Sequence, residues 1–268
     1  MKRGETPARA GRGPYAGPRS PARVMQVLEA LAEAGEGLSL AAMATRLGIP
    51  KTSLLNHLRV LAATGHVALD DARYVLGPAA IRLGALIASG SAARVAIHAA
   101  ARRLAADSGE TSLVAMLDEP AGEAVYLAVV EGRQPIRYSP APGTRRPLYC
   151  TAMGRALLAV QDDAWIARYL GTARLAPLTV RTVTERRALR QLLGKVAAER
   201  VAVTVAEHTD GVGAVAAPVF ERAGTPRYAI GVAVPAARLV PGLKRLSALV
   251  RDAAREASWA LGAPAKPE

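Results

Sequence analysis

A chain of 268 residues is too long for one small domain and too short for three ordinary ones, so one or two domains are expected. Apolar residues at 51% and charged residues at 21% exclude wholesale disorder and the collagen-like and coiled-coil classes. A formal charge of +13, from 35 basic and 22 acidic residues, makes a polyanion the first partner to test.

Bulk charge alone says little, because only Lys2, Lys51, Lys195, Lys244 and Lys266 are lysines and the arginines are scattered through an Ala- and Gly-rich chain. The local pattern says more. Between Glu36 and Asp70 there is no Asp or Glu, while Arg46, Lys51 and Arg59 are present, and such a gap suits a surface laid against phosphates. The single cysteine, Cys150, allows neither an intrachain disulfide nor a cysteine-based zinc site, and it fits a reducing compartment. Charge-free stretches such as residues 83–93 and 211–220 fall short of the ~20 residues that cross a bilayer. Residues 1–23 are basic and rich in Pro and Gly with no apolar block, which argues against a secretory signal. The expectation is a cytoplasmic protein without a membrane partner.

In chain order, a basic arm over residues 1–19 is expected to be disordered. Ser20 as N-cap and Pro21 in the first turn open a helix whose inner face is Val24, Val27, Leu28 and Leu31, ended by Gly35 and Gly37. Ser39 caps a second helix with Leu40, Met43, Ala44 and Leu47 inward and Gly48 as its stop. After Ile49 and Pro50 a third helix runs over residues 51–63, with Leu54, Leu58 and Leu61 on one face. Val67 and Leu69, a turn at residues 70–73, and Tyr74 and Leu76 form a small hairpin. Ile81, Leu83, Leu86 and Ile87 continue as an apolar linker helix that breaks at Ser89, Gly90 and Ser91. The domain reading is therefore residues 20–77, a linker at 78–91 and a second domain over 92–264.

The second part opens with a helix over residues 92–108, then strands at 111–117, 123–130 and 135–139, and a Pro/Gly/Arg loop at 140–147. Helices follow at 151–160, 162–170 and 185–199, strands at 200–206, 213–220 and 227–234, and a last amphipathic helix from about 241 to 261. Strands in adjacent runs favour a mostly antiparallel sheet with helices packed on it, an α+β sensor-like domain.

Two helices joined by a tight turn with Gly48 and Pro50, preceded by a helix and followed by a hairpin, are the elements of a winged helix-turn-helix. With its leucines facing the bundle, the third helix turns Lys51, Thr52, Ser53, Asn56 and Arg59 outward, and Thr52 and Asn56 lie one turn apart. The Thr52 and Ser53 hydroxyls suit phosphate oxygens, Asn56 suits adenine, and Arg59 or Lys51 suits guanine or the backbone. His57 on the same helix is more often a surface or partly buried histidine than a base reader, and Arg73 at the wing is placed to reach the backbone or the flanking minor groove.

The segments Ser39 to Ala44, Leu47 to Ser53 and Arg73 to Gly77 resemble the DNA-binding domain of the IclR family of bacterial transcriptional regulators. Ser108 to Thr111 with Leu113, Thr151 to Ala159, Leu178-Thr179 with Arg181-Thr182, and Gly211-Val212 with Ala216 to Val219 resemble that family's effector-binding domain in the same order. The resemblance implies a winged helix-turn-helix joined by a linker helix to a GAF/PAS-like α+β effector-binding domain. It also implies a homodimer or homotetramer on a partly palindromic double-stranded DNA operator, switched by a small-molecule effector. Where the family commonly has Arg then Leu in the third helix, this chain has Asn56 and His57, so the operator sequence does not carry over. Positions resembling the family's ligand contacts are Ala152, Met153, Thr204, Ala214, Gly231 and Ala233. These point to a partly apolar organic acid, anchored by backbone amides near Ala152 to Gly154.

No cofactor or metal is expected: His57, His66, His98 and His208 are too scattered for metal-ligand spacing, and Gly211-Val212-Gly213 lacks the lysine of a phosphate loop. An alternative reads Cys150, His208 and Asp210 as a thiol hydrolase with a protein-docking N-terminal module. A third reading makes the chain a sequence-indifferent nucleic-acid binder driven by its arm. Arg145 and Arg146 either attract an anionic effector or are solvated, and solvation is the commoner outcome.

Overall fold

The computed structural model describes residues 19–89, 92–221 and 226–263. The chain divides at residues 90/91 into two compact units. The basic arm of the sequence reading lies, but for Arg19, outside the described residues.

The first unit begins with α1 (Arg19–Ala34), α2 (Leu40–Leu47) and α3 (Lys51–Ala63). Ser20 lies inside α1 and does not cap it, and Pro21 fits because the first turn needs no donor from it. The Ser39 hydroxyl accepts from the Ala42 amide at 3.2 Å, and Gly48 ends α2 at φ +62°, a conformation that costs glycine little. Val27, Leu31, Met43, Ile49, Leu54, Leu58, Leu61 and Val67 form one buried cluster among the three helices and the hairpin. The hairpin pairs β1 (Val67–Asp70) with β2 (Arg73–Leu76) through a two-residue turn in which Asp71 and Ala72 both have positive φ. Backbone bonds between Leu38 and Tyr74, at 3.0 and 2.8 Å, tie the hairpin to the α1–α2 connection. α4 (Pro78–Ser89) follows, with Ile81 and Leu83 exposed.

The second unit is a six-stranded antiparallel sheet with helices on both faces. Its elements are α5 (Ala92–Ser108), β3 (Thr111–Asp118), β4 (Glu123–Val130), β5 (Arg145–Pro147), α6 (Ala152–Leu158), α7 (Asp163–Thr172), α8 (Arg186–Glu199), β6 (Ala202–Val205), β7 (Val212–Val219), β8 (Tyr228–Pro235) and α9 (Ala236–Ala260). The strand order is β5-β4-β3-β8-β7-β6. Leu113, Ala115 and Leu117 of β3 pack with α6, α7 and α8, whereas Val114, Ile230 and Val232 pack with Ile97 and Leu104 of α5 and Leu246 and Val250 of α9. Burial on both faces explains why β7 and β8 read as continuous apolar runs.

Three boundaries differ from the sequence reading. Residues 135–139 form no strand, and the edge strand is β5, drawn from the loop at 140–147 by pairing Ala124 with Arg146 and Val125 with Arg145. Propensity is weakest for so short an edge, where pairing with β4 decides. α9 starts at Ala236 and contains Pro241, five residues beyond the start, where the ring costs one helical hydrogen bond to the Ala237 carbonyl.

Candidate DNA-reading face and effector cavity

On α3 the inward leucines fix what faces out. Leu54 and Leu58 are fully buried and Leu61 nearly so, while Lys51, Thr52, Asn56 and Arg59 are exposed and Ser53 and His57 are half-buried. Among the described residues none of those six side chains is engaged in a hydrogen bond or ion pair, so the face is available. The neighbouring cations are partly spoken for: Arg46 pairs with Glu33, and Arg73 donates to the Gly37 carbonyl at 3.4 Å. Asp70 and Asp71 are exposed at the hairpin turn, so the tip itself is acidic. Arg73 stands behind that tip, and α3 carries Lys51 and Arg59 with no acidic residue of its own.

In the second unit a cavity opens on the α6 face of the sheet. It is lined by Leu113, Tyr126, Tyr138, Thr151, Ala152, Met153, Thr204, His208, Thr209, Val212, Gly213, Ala214 and Ala233. Its volume is about 40 Å³, well below the ~150 Å³ that admits benzene to an apolar core. Of the residues chosen from sequence, Ala152, Met153, Thr204, Ala214 and Ala233 line it, whereas Gly154 and Gly231 do not. Gly154 faces the Leu148 backbone, 2.4 Å from where a Cβ would stand, and its amide is taken by the Thr151 hydroxyl at 3.0 Å. Gly231 lies in β8 against Val215 and Ala216 of β7, with no room for a Cβ.

Sequence reasoning missed Tyr126, Tyr138, Thr151, His208 and Thr209, which make the lining richer in hydroxyls than expected. Strand alternation on β4 was a usable signal for Tyr126; Tyr138, His208 and Thr209 come from loops that only the tertiary fold places.

The loop carrying His208 and Thr209 is held from below. Arg155 of α6, 1% exposed, donates from Nε to the Tyr149 carbonyl at 2.7 Å and from Nη1 to Glu207 Oε1 at 2.9 Å, with Nη2 on Oε2. The Thr182 hydroxyl donates to the Glu207 carbonyl at 2.6 Å and the Thr179 hydroxyl to the Ala206 carbonyl at 2.7 Å. Ala206 is held at φ +54° within this network. His208 Nδ1 lies 2.8 Å from the Thr209 hydroxyl. Burial, and secondarily the Arg146 charge, hold the His208 pKa below its ordinary value.

Cys150 is fully buried, and burial pushes its thiol up to about 11, which leaves little thiolate at neutral pH. Burial and the raised pKa both count against Cys150 as the nucleophile of the hydrolase reading. Among the described residues no group of three or more His, Cys, Asp or Glu is arranged to hold a metal ion, and no helix is long and apolar enough to cross a membrane.

Residues 20–71 match the IclR helix-turn-helix domain, and residues 90–259 match the family model described as bacterial transcriptional regulator IclR C-terminal. The chain belongs to the IclR family. The regulator BhcR of Paracoccus denitrificans is 33% identical over 273 residues, covering 99% of this chain and 96% of that protein. The regulator Rv1719 of Mycobacterium tuberculosis is 35% identical over 219 residues, 81% of this chain and 82% of its own. An IclR regulator structure from Alicyclobacillus acidocaldarius superposes with a TM-score of 0.82 at 26% identity, covering 92% of this chain and all (100%) of that one. An IclR homologue from Microbacterium hydrocarbonoxydans, solved in complex with 4-hydroxybenzoate, shares the fold with a TM-score of 0.78 at 20% identity, covering 91% and 99%. This IclR-family chain is a ligand-responsive, DNA-binding transcriptional regulator, and the relatives named here give the hydrolase alternative no support.

Two outcomes follow for the surroundings of the cavity beside α6 in this IclR-family chain. Arg155→Met strands the Glu207 carboxylate, 12% exposed, without its cation, and should lower unfolding free energy by about 3 kcal/mol in urea titration. Adding Glu207→Gln should restore a substantial part. For His208 the folded pKa lies below the 6.5 of the unfolded chain, so between those values the unfolded chain binds more protons. Stability should therefore fall as pH drops through 6.5 and level off below the folded pKa, and His208→Gln should flatten that step in a thermal-melt series.

Proposed function

We propose that this regulator grips a partly palindromic operator as a homodimer, or a pair of homodimers, and releases or tightens it when an organic acid occupies the cavity beside α6. The observation that carries the reading is the division of α3 into a buried leucine side and an unengaged polar side of Lys51, Thr52, Ser53, Asn56, His57 and Arg59. In the major groove the amides and hydroxyls at the start of α3 would set register on phosphates, and Asn56 and Arg59 would read base edges. Arg73 would add contact to the flanking backbone only if it leaves Gly37. The acidic tip formed by Asp70 and Asp71 favours a wing that stands off the phosphates.

A lone recognition helix reads few bases, and a two-fold partner doubles the site. Ile81 and Leu83 of α4, 63% and 45% exposed, are apolar surface of the kind that a second copy of the chain would cover. The 4-hydroxybenzoate in the Microbacterium homologue supports an organic acid as effector class. At about 40 Å³ the cavity accepts a ring only if its lining opens, and Tyr138, which stands on a loop, is the residue placed to move. The site of action is the chromosome, hence the cytoplasm of a bacterial cell, and no catalytic role is assigned.

Fluorescence anisotropy with the duplex flanking the chain's own gene should give salt-sensitive binding that exceeds binding to random duplex at moderate salt. Equal binding to both would end the proposal. Asn56→Ala should cost about 1–3 kcal/mol on the cognate duplex and narrow its margin over random DNA, while Arg59→Ala should also reduce the salt slope. Ile81→Glu should shift the oligomer toward monomer in sedimentation and weaken operator binding with it.

A further inference from the structure

The adjacent arginines ahead of α6 have opposite fates. Strand alternation sends Arg145 of β5 to one face of the sheet, where Asp118 accepts from it at 2.7 Å and Glu123 at 3.2 Å. Arg146, paired with Ala124, points to the other face, which is the face of Tyr126 and the cavity. There its Nη2 donates to the Tyr138 hydroxyl at 3.3 Å and its Nη1 to the Arg145 carbonyl at 3.0 Å. Its Nε–H is shut off from solvent and has no acceptor. Among the described residues no carboxylate pairs with it. Its charge acts on His208 and Tyr126, both of which line the cavity.

A half-buried guanidinium with an orphaned donor and no counter-ion is a costly arrangement that an anion would relieve. The cavity wall holds no charged side chain of its own: its polar groups are the hydroxyls of Tyr126, Tyr138, Thr151, Thr204 and Thr209 and the imidazole of His208. The nearby Arg155 is already saturated by Glu207. Arg146 is not itself part of the wall; a guanidinium with no carboxylate partner among the described residues therefore stands directly behind Tyr138, next to a neutral, hydroxyl-lined space.

We infer that Arg146 is the counter-ion that selects the effector: a monoanionic carboxylate binds with its carboxylate on the Arg146 guanidinium and its body among the cavity hydroxyls. This rests on the effector reading of the cavity given above and replaces the backbone amides near Ala152 to Gly154 as the anchor. A dicarboxylate or phosphate ester would bring a second charge for which the wall has no partner, so single charge is part of the selection. Tyr138, which now occupies Nη2, is the side chain that gives way or shares its hydroxyl with the carboxylate.

The test is calorimetry on the full chain with benzoate, 4-hydroxybenzoate and lactate, their uncharged amides, phthalate, and inorganic phosphate. At least one monocarboxylate should bind about tenfold or more tighter than its amide, and phthalate and phosphate should not compete with it. Arg146→Gln should abolish the acid-over-amide preference, whereas Arg146→Lys, which keeps the charge, should retain part of it; melting curves check that both variants fold. Failure of every monocarboxylate to bind the wild-type chain, equal affinity for acid and amide, or an unchanged preference in Arg146→Gln would each overturn the inference. Duplex binding by the wild-type chain is measured in parallel. If amides release the operator and acids do not, the Arg146 assignment falls and the regulator reading stands; if no duplex is bound specifically, the regulator reading falls while the acid-amide comparison still decides Arg146.

Discussion

The burial of Leu54, Leu58 and Leu61 against Val27, Leu31 and Met43 is the constraint on which the DNA-binding account depends. Truncating one such leucine typically costs about 2–5 kcal/mol, a large part of what a unit this small has to spare. The rotation of α3 about its own axis is therefore fixed. Because the leucines recur at helical spacing, Thr52, Asn56 and Arg59 are delivered to the opposite side without any bond holding them there. Side chains kept free by their neighbours' packing are what a groove-reading surface requires, since each intrachain bond would have to break before a base edge could replace it.

The second unit uses packing in the same way and adds electrostatics. Helices cover both faces of the sheet, so a polar group on either face must find a partner or line a cavity. Arg155 and Glu207 solve this by pairing, and in doing so they fix the loop that presents His208 and Thr209. Arg146 solves it incompletely. The alternation of a three-residue edge strand separates it from the carboxylates that neutralise Arg145, and leaves it hydrogen-bonded to Tyr138, a wall residue of the hydroxyl-lined cavity.

How much of this was legible in the sequence depended on the range of the interaction that decides each feature. Helices α2 and α3 and the hairpin were readable because capping by Ser39, the stop at Gly48 and the leucine period are local. The start of α9 and the strand at Arg145 were not, because a helix tolerates Pro241 in its second turn and an edge strand is defined by its neighbour β4. For the cavity, Ala152, Met153, Thr204, Ala214 and Ala233 were accessible from family resemblance, while Gly154 and Gly231 fell away because their missing side chains serve close backbone approach. The places of Tyr138 and His208 in the cavity wall were not legible, because both come from loops: the His208 loop is set by the Arg155–Glu207 pair and threonine bonds, and Tyr138 accepts from Arg146. Solvation of both Arg145 and Arg146 was the commoner expectation, and the structure separates the two.

The central claim is that the free face of α3, doubled by a second copy of the chain, reads a defined DNA sequence. Selection of bound duplexes from a random library by the full-length chain, followed by sequencing, tests it most directly. The account predicts enrichment of a two-fold-related motif whose half-sites lie about one helical turn, or a multiple of it, apart, and loss of that motif when Asn56 and Arg59 are both replaced by alanine. Recovery of a library no different from the input, or the same motif from the doubly substituted chain, would contradict it.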